Sequence, residues 1–170
     1  MRALLLDPDT EELLLIKALV PDTGQELWFT PGGGKEGDET DLSCLAREVR
    51  EETGLEPLPE AVLVWTRSEQ FLFMGDQYDQ DERYFLVLTK RFEVAQQALE
   101  AHEQETFLGA RWWSLDDIAR SQELFVPANL GVLMKELLVS GLIEEAGVEK
   151  SGAENNKAGS ASYPVRHVGR

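Results

Sequence analysis

The segment from Gly33 to Leu55 joins a glycine-rich loop to a helix that carries a cluster of glutamates. Thr40 is a residue type that favours the N-cap position, and Gly54 is the residue type that favours a left-handed C-terminal cap. The spacing therefore predicts a helix over residues 41–53. Whatever sheet the rest of the chain forms must place the glycine loop at the beginning of this helix.

Apolar and acidic side chains divide this helix into two neighbouring faces. Residues at i, i+3, i+4 and i+7 predict one apolar stripe against a core. The stripe consists of Leu42, Leu45, Ala46 and Val49. At about 100° per residue, Glu48, Glu51 and Glu52 then share one arc beside that stripe.

The three glutamates require an explanation because like charges three or four positions apart destabilise a helix by about 0.2–0.5 kcal/mol per pair. One explanation is a solvated acidic face, with Arg47 paired to Glu51 at i+4. The other is a divalent cation, since Mg²⁺ binds one or two carboxylates together with substrate phosphate oxygens. The preceding loop favours the cation.

The loop follows the apolar segment 27–29 and consists of Pro31 and three glycines, Gly32, Gly33 and Gly34. It is typical of a strand that ends in a loop whose backbone approaches a ligand closely. Glycines alone also occur in ordinary tight turns. The spacing between the glycine loop and the acidic residues is more specific than the glycines alone.

That spacing resembles the signature of the Nudix (MutT-like) hydrolase family, G-x5-E-x7-R-E-U-x-E-E-x-G-U, in which U is a bulky aliphatic residue. Every position is matched, by Gly33, Glu39, Arg47, Glu48, Val49, Glu51, Glu52, Gly54 and Leu55. The resemblance implies an α/β/α sandwich with a mixed β-sheet. It also implies a Mg²⁺ or Mn²⁺ cofactor, held by Glu48, Glu51 and Glu52 with the main-chain carbonyl of Gly33.

Two further sets of residues follow from the same resemblance. Arg47 and Glu39 are expected to orient the glutamates. A glutamate from a later loop commonly completes the site, and either Glu105 or Glu103 stands a few residues before the segment 111–113. Glu105 is preferred on spacing.

The implied reaction is attack of water on a phosphorus atom of a nucleoside diphosphate linked to another moiety. Glu51 is our hypothesis for the general base, with Arg47 and Glu48 in the catalytic group, although family members differ in which glutamate serves. The alternative function is a non-catalytic module that senses a nucleotide. The substrate stays open between a nucleoside triphosphate, an oxidised nucleotide, a nucleotide sugar and a capped RNA end.

Substrate contacts are expected from Gly33, Gly34, Trp28 and Arg83. Trp28 offers an aromatic face for a nucleobase, but on a strand it is also a typical core residue. Arg83 is a candidate phosphate contact, and an ordinary surface charge is its alternative.

The charge of the chain limits the partners that it can bind. The 32 acidic and 16 basic residues give a formal net charge of −16, which disfavours DNA and anionic membranes as partners and favours a small phosphorylated substrate.

Cys44 is the single cysteine, so we expect no intrachain disulfide and a reducing, cytoplasmic location. No apolar run reaches the length of a membrane span, and no signal peptide is expected. Many relatives in the family form dimers, so a homodimer stays open.

The remaining pattern predicts one domain over residues 1–146 and a disordered tail over 147–170, where aliphatic residues become scarce. A polar loop is expected over 21–26 and another over 75–82, at the mouth of the site. Helices are expected over 115–120 and from 127 to about 142. Strands are expected over 2–6, 12–18, 27–30, 61–68, 71–74, 83–88 and 110–113.

Overall fold

The computed structural model describes residues 1–21, 23–73, 76–95, 106–141 and 166–167. Three helices lie within these ranges, α1 (Asp41–Thr53), α2 (Leu115–Arg120) and α3 (Leu130–Val139). The strands are β1 (Arg2–Asp7), β2 (Glu12–Val20), β3 (Gln25–Phe29), β4 (Ala61–Phe73), β5 (Asp76–Leu88), β6 (Phe107–Ser114), β7 (Leu124–Val126) and β8 (Arg166–His167).

All eight strands belong to one mixed sheet. The order is β7-β3-β2-β1-β5-β4-β8, and β6 pairs with β2 in addition. The β1–β5, β3–β7 and β4–β8 pairs are parallel and the others are antiparallel. Because β1 pairs with β2 only at Leu6 and Asp7, the loop after β3 has room to lie beside the first residues of β1.

The sheet separates two apolar cores, because alternate residues of a strand point to opposite faces. On one face α1 packs through Leu45 and Val49 against Leu5 and Phe85. On the other face α2 and α3 cover a larger cluster that includes Leu4, Leu6, Trp113 and Met134. The predicted α/β fold with helices on both sides of a mixed sheet is confirmed.

Helix α1 has the predicted bounds and caps. The Thr40 hydroxyl accepts a hydrogen bond from the Ser43 main-chain nitrogen at 3.1 Å, and Gly54 takes the left-handed conformation with φ 79°. The predicted apolar stripe was wrong at Leu42, whose side chain is 52% exposed. The buried face is rotated instead toward Cys44, Glu48 and Glu52, because α1 packs on the glycine loop as well as on the sheet.

The region between residues 61 and 88 differs most from the prediction. Three strands, over 61–68, 71–74 and 83–88, and a polar loop over 75–82 were expected, whereas β4 runs unbroken from Ala61 through Phe73 and β5 already begins at Asp76. Polar side chains fit this hairpin because they pair across it. The Arg67 guanidinium donates to Glu82 at 2.9 Å, and the Ser68 hydroxyl donates to Asp81 at 2.6 Å.

Smaller differences concern the ends of elements. Strand β3 begins at Gln25 and so takes up the end of the predicted polar loop over 21–26, β6 begins at Phe107, and β7 was not predicted. The described part of the last helix ends at Val139. Arg166 and His167 pair with Trp65 and Thr66 of β4, and the rest of the predicted tail lies outside the described residues.

Candidate active site

The glutamates of α1 lie on the side of the helix that meets the glycine loop. Glu48 and Glu52 are each 7% exposed, and the side chain of Glu51 is 22% exposed. Burial of two carboxylates on one helix is costly unless cations or hydrogen-bond donors surround them. The neighbours of these side chains therefore define what the site can bind.

Arg47 is the cation at the centre of this side of the helix. Its Nε and Nη2 atoms donate to the two carboxylate oxygens of Glu39 at 2.8 and 3.0 Å. Its Nη1 atom donates to Glu48 at 2.9 Å and to Glu51 at 3.3 Å, and Nη2 also donates to the Gly34 carbonyl at 2.9 Å. One guanidinium thus contacts three carboxylates and one carbonyl of the loop.

This arrangement shifts the pKa values of the paired groups. The bidentate hydrogen bonds from Arg47 lower the pKa of Glu39 to about 2. The same hydrogen bonds, together with the charge of Glu48, raise the pKa of Arg47 above its usual range. Both groups are therefore ionised at neutral pH.

The glycine loop touches the carboxylates directly. A Cβ atom on Gly33 would lie 2.4 Å from Glu48 Oε1, so any other residue here would push this carboxylate out of its place beside the loop. The Cys44 thiol, whose pKa is raised by burial, donates to the Gly34 carbonyl at 3.3 Å. The Gly32 main-chain nitrogen donates to Glu52 Oε2 at 2.7 Å. The loop and α1 form one unit through these contacts.

Two basic side chains flank the beginning of α1. Lys35 lies 2.5 Å from one Asp41 carboxylate oxygen, and Arg83 donates to the other. The hydrogen bond from Lys35 and that from Arg83 lower the pKa of Asp41. Arg83, predicted as a substrate contact, therefore stands on the same face of the sheet as the glutamates and is about half exposed.

The residues fit a hard divalent cation by their donor chemistry. Three glutamate carboxylates and the carbonyls of the loop are all oxygen donors, which Mg²⁺ and Mn²⁺ prefer. Within the described ranges, however, no three His, Cys, Asp or Glu side chains converge as a metal-binding group. The carboxylates are directed toward Arg47 and the Gly32 nitrogen in this arrangement.

Three further residues were predicted for the site, Trp28, Glu103 and Glu105, and the structure describes only Trp28. Trp28 is buried and packs edge-on against Trp113 with ring centroids 5.1 Å apart. This packing fits the role of a core residue and not that of an aromatic face for a nucleobase. Its indole nitrogen donates to Glu123 at 3.1 Å. Glu103 and Glu105 lie outside the described residues, and their role stays a prediction.

One group of polar residues was missed at the sequence level. Glu82 is buried between Arg2, Arg67 and Tyr84, and Arg2 also reaches the Gly32 carbonyl. This group was missed because residue 82 was assigned to a loop, whereas it lies on β5. The alternation of Glu82 and Tyr84 on one strand would have been the available signal.

In the part of the chain that the structure describes, no helix combines the length and the apolar character that crossing a bilayer requires.

Comparison with known proteins agrees with the signature. The family model of the NUDIX domain matches residues 1–134. An RNA pyrophosphohydrolase from Halorhodospira halophila is 52% identical over 44 residues, which are 26% of this chain and 24% of that protein. An RNA pyrophosphohydrolase from Sphingopyxis alaskensis is 30% identical over 138 residues, covering 74% of this chain and 79% of that protein. The chain thus spans about a quarter of the length of the first relative and most of the second.

Solved structures share the fold. A MutT NUDIX hydrolase from Burkholderia pseudomallei matches with a TM-score of 0.57 and 22% identity, covering 78% of this chain and 93% of that one. The NUDIX domain of Shewanella oneidensis NrtR, in complex with ADP ribose, matches with a TM-score of 0.60 and 20% identity, covering 81% and 85%. Sheet topology, signature and family model agree, and the chain belongs to the Nudix family of hydrolases.

Proposed function

We propose that the protein is a metal-dependent pyrophosphohydrolase that cleaves a nucleoside diphosphate linked to another moiety. The observation that carries this proposal is the contact between the loop and the helix, where Gly33 leaves space for the Glu48 carboxylate. It places the main chain of the glycine loop beside the Glu48 carboxylate, and such oxygen donors are the ones that bind a phosphate-bound divalent cation.

We assign the metal ligands to Glu48, Glu51 and Glu52 with the Gly33 carbonyl, and Glu105 is the preferred additional ligand. A divalent cation held there would neutralise the phosphate oxygens and assist the ionisation of the attacking water. Arg47 contributes by holding Glu48 and Glu51 in position, since it donates to both.

Glu51 is the proposed general base. It is the most exposed of the three glutamates, and its contact with Arg47 Nη1, at 3.3 Å, is longer than the 2.9 Å contact of Glu48 with the same atom. A base must reach a water molecule and release its own partner when it takes a proton. Glu51 meets both requirements better than the buried pair Glu48 and Glu52.

Substrate contacts are assigned to the glycine loop at Gly33 and Gly34 and to Arg83. Lys35 and Arg83 place two positive charges beside the beginning of α1, which suits a phosphate group. The names of the relatives favour a nucleotide, either as the end of an RNA or within a derivative such as ADP ribose. The net charge of −16 favours a free nucleotide over a long polyanion. The single cysteine supports a cytoplasmic location.

The test is an activity screen with a matched control. Purified protein is incubated with Mg²⁺ and with nucleoside triphosphates, oxidised nucleotides, nucleotide sugars, dinucleotides and a 5′-triphosphorylated oligoribonucleotide, and the products are separated by chromatography. Glu52→Gln should lower cleavage by about 10–100-fold or more, since it alters the metal site. Glu60→Gln, an exposed carboxylate outside the acidic face, should leave cleavage unchanged. Nucleotide binding without cleavage of any substrate would overturn the proposal in favour of a nucleotide sensor.

A further inference from the structure

The first residues of β1 are attached to the glycine loop at three consecutive carbonyls. The contacts are Ala3 N to Pro31 O at 2.7 Å, Arg2 Nη1 to Gly32 O at 3.0 Å and Met1 N to Gly33 O at 2.5 Å. Two of these donors are main-chain nitrogens. The contact from Arg2 is made by a side chain, so a substitution can remove it while the backbone stays the same.

The peptide that Arg2 holds is bonded to the acidic site on its other side. The Gly32 carbonyl accepts from Arg2, and the Gly32 nitrogen donates to Glu52 Oε2 at 2.7 Å in a buried position. The backbone at Gly32 has φ 134°, and a Cβ there would lie 2.1 Å from the Met1 carbonyl oxygen. This close approach leaves little room for Gly32 to move without losing one of its two partners.

Arg2 is itself held by a carboxylate that has no part in the signature. Glu82 accepts from Arg2 Nε at 2.9 Å through one oxygen, while its other oxygen accepts from Arg67 at 2.9 Å and from Tyr84 at 2.7 Å. Glu82 is 6% exposed, so these ionic hydrogen bonds are shielded from water. A guanidinium fixed in this way can position the groups to which it donates.

We propose that Arg2, anchored by Glu82, is a positioning residue for the acidic site. It acts through the Gly32 peptide, whose orientation presents the main-chain nitrogen to Glu52 and places the next carbonyl, that of Gly33, beside α1. The inference rests on the proposed metal site, because its effect is on the affinity of that site for a divalent cation. Groups that orient metal ligands typically change metal affinity by about 10–100-fold when they are removed.

Arg67 offers a matched control for the experiment. It also donates to Glu82 at 2.9 Å and is similarly buried, but it donates to the hairpin residue Glu69 and not to the glycine loop. Arg2→Met and Arg67→Met each remove one cation from Glu82. Only Arg2→Met removes the hydrogen bond to the Gly32 carbonyl.

The measurement is Mn²⁺ binding to the full chain without substrate, followed by the electron paramagnetic resonance signal of free Mn²⁺. Arg2→Met should weaken binding by about 10–100-fold, and Arg67→Met should leave it unchanged. Arg2→Lys should weaken Mn²⁺ binding less than Arg2→Met does, because an ammonium retains the charge opposite Glu82. It should still bind more weakly than wild type, because an ammonium lacks the planar guanidinium that donates to Glu82 and Gly32 at the same time. If Arg2→Met does not fold, Arg2→Lys is compared with Arg67→Lys, and only the former should weaken binding.

Glu48→Gln separates a failure of this inference from a failure of the proposed function. If Glu48→Gln does not weaken Mn²⁺ binding, the metal site itself is wrong, and the role of Arg2 is overturned with it. If Glu48→Gln weakens binding while Arg2→Met does not, or if both arginine variants weaken it equally, the inference alone is overturned.

Discussion

Two ionic clusters on opposite faces of the sheet differ in the group at their centre. On the α1 face, one cation, Arg47, lies among the carboxylates of Glu39, Glu48 and Glu51. On the opposite face, the buried carboxylate of Glu82 lies between two arginines and receives a hydrogen bond from Tyr84, and one of these arginines, Arg67, also pairs with the more exposed Glu69. In the first cluster the carboxylates outnumber the single cation, whereas in the second the buried carboxylate is surrounded by hydrogen-bond donors.

The difference separates a site that can accept a ligand from a site that stabilises the fold. The α1 cluster is partly open to solvent, and its surplus carboxylates can take a further cation. In the Glu82 cluster both carboxylate oxygens already accept hydrogen bonds, and the side chain is almost completely buried. Burial raises the pKa of Glu82, but the charge of Arg2 and the hydrogen bonds from Tyr84 and Arg67 outweigh it, so the pKa lies below its ordinary value.

The largest effect is expected from Glu51→Gln, which tests whether the α1 cluster serves function more than stability. If Glu51 is the general base, as proposed, its removal should lower kcat by about 10²–10⁴-fold. The free energy of unfolding should change by less than about 1 kcal/mol, because the contacts of Glu51 with Arg47 and Arg50 are long and partly exposed. Steady-state kinetics and urea denaturation measure the two quantities.

Glu36→Gln is the control for that experiment. Glu36 also lies near Arg47 Nη1, at 3.6 Å, but its side chain is 65% exposed. It should change neither kcat nor stability. Near-normal turnover of Glu51→Gln with Mn²⁺ binding intact would show that another group is the base.

Glu82→Gln tests whether the Glu82 cluster stabilises the fold. Two guanidinium groups lose their buried counter-ion, so the free energy of unfolding should fall by about 3–5 kcal/mol. Glu69→Gln removes a more exposed partner of Arg67, 2.7 Å away, and should cost less than about 1 kcal/mol. Urea denaturation of both variants at pH 7 is the measurement. Equal stabilities for the two variants would contradict a structural role for the Glu82 cluster.

The smallest effect is a pH dependence within the α1 cluster. Arg47 lowers the pKa of Glu39 from the ordinary value of 4.5 to about 2, so its contribution to stability is present above about pH 4.5 and is lost as the pH falls toward 2. Wild type and Glu39→Gln should therefore differ in urea midpoint at pH 6 and converge between pH 4.5 and 2. A difference that stays constant over this range would contradict the ion pair.

Local sequence rules were sufficient for the bounds and the caps of α1. The caps at Thr40 and Gly54 and the contact of Arg47 with Glu51 depend on residues close together in the chain, where helix geometry determines which side chains meet. The same rules were wrong at Leu42, because which side of a helix is buried depends on what packs against it.

The hairpin of β4 and β5 shows why the remaining elements were harder to predict. Its polar residues have the composition of a loop, and they form strands because partners such as Arg67 and Glu82 stand opposite each other. Strand preference depends on such cross-strand neighbours more than on the residue itself. The sequence of a polar segment alone therefore does not determine whether the segment forms a strand or a loop.

The sequence by itself determined the family and the acidic helix, since these follow from residue types at short spacing. Tertiary structure alone decided that Arg2 and Glu82, 80 positions apart, meet beside Gly32. Parallel pairing of β1 with β5 brings these strands together, and the loop after β3 occupies the space beside the start of β1. Contacts of this kind arise from how distant strands pair, which no local pattern of side chains specifies.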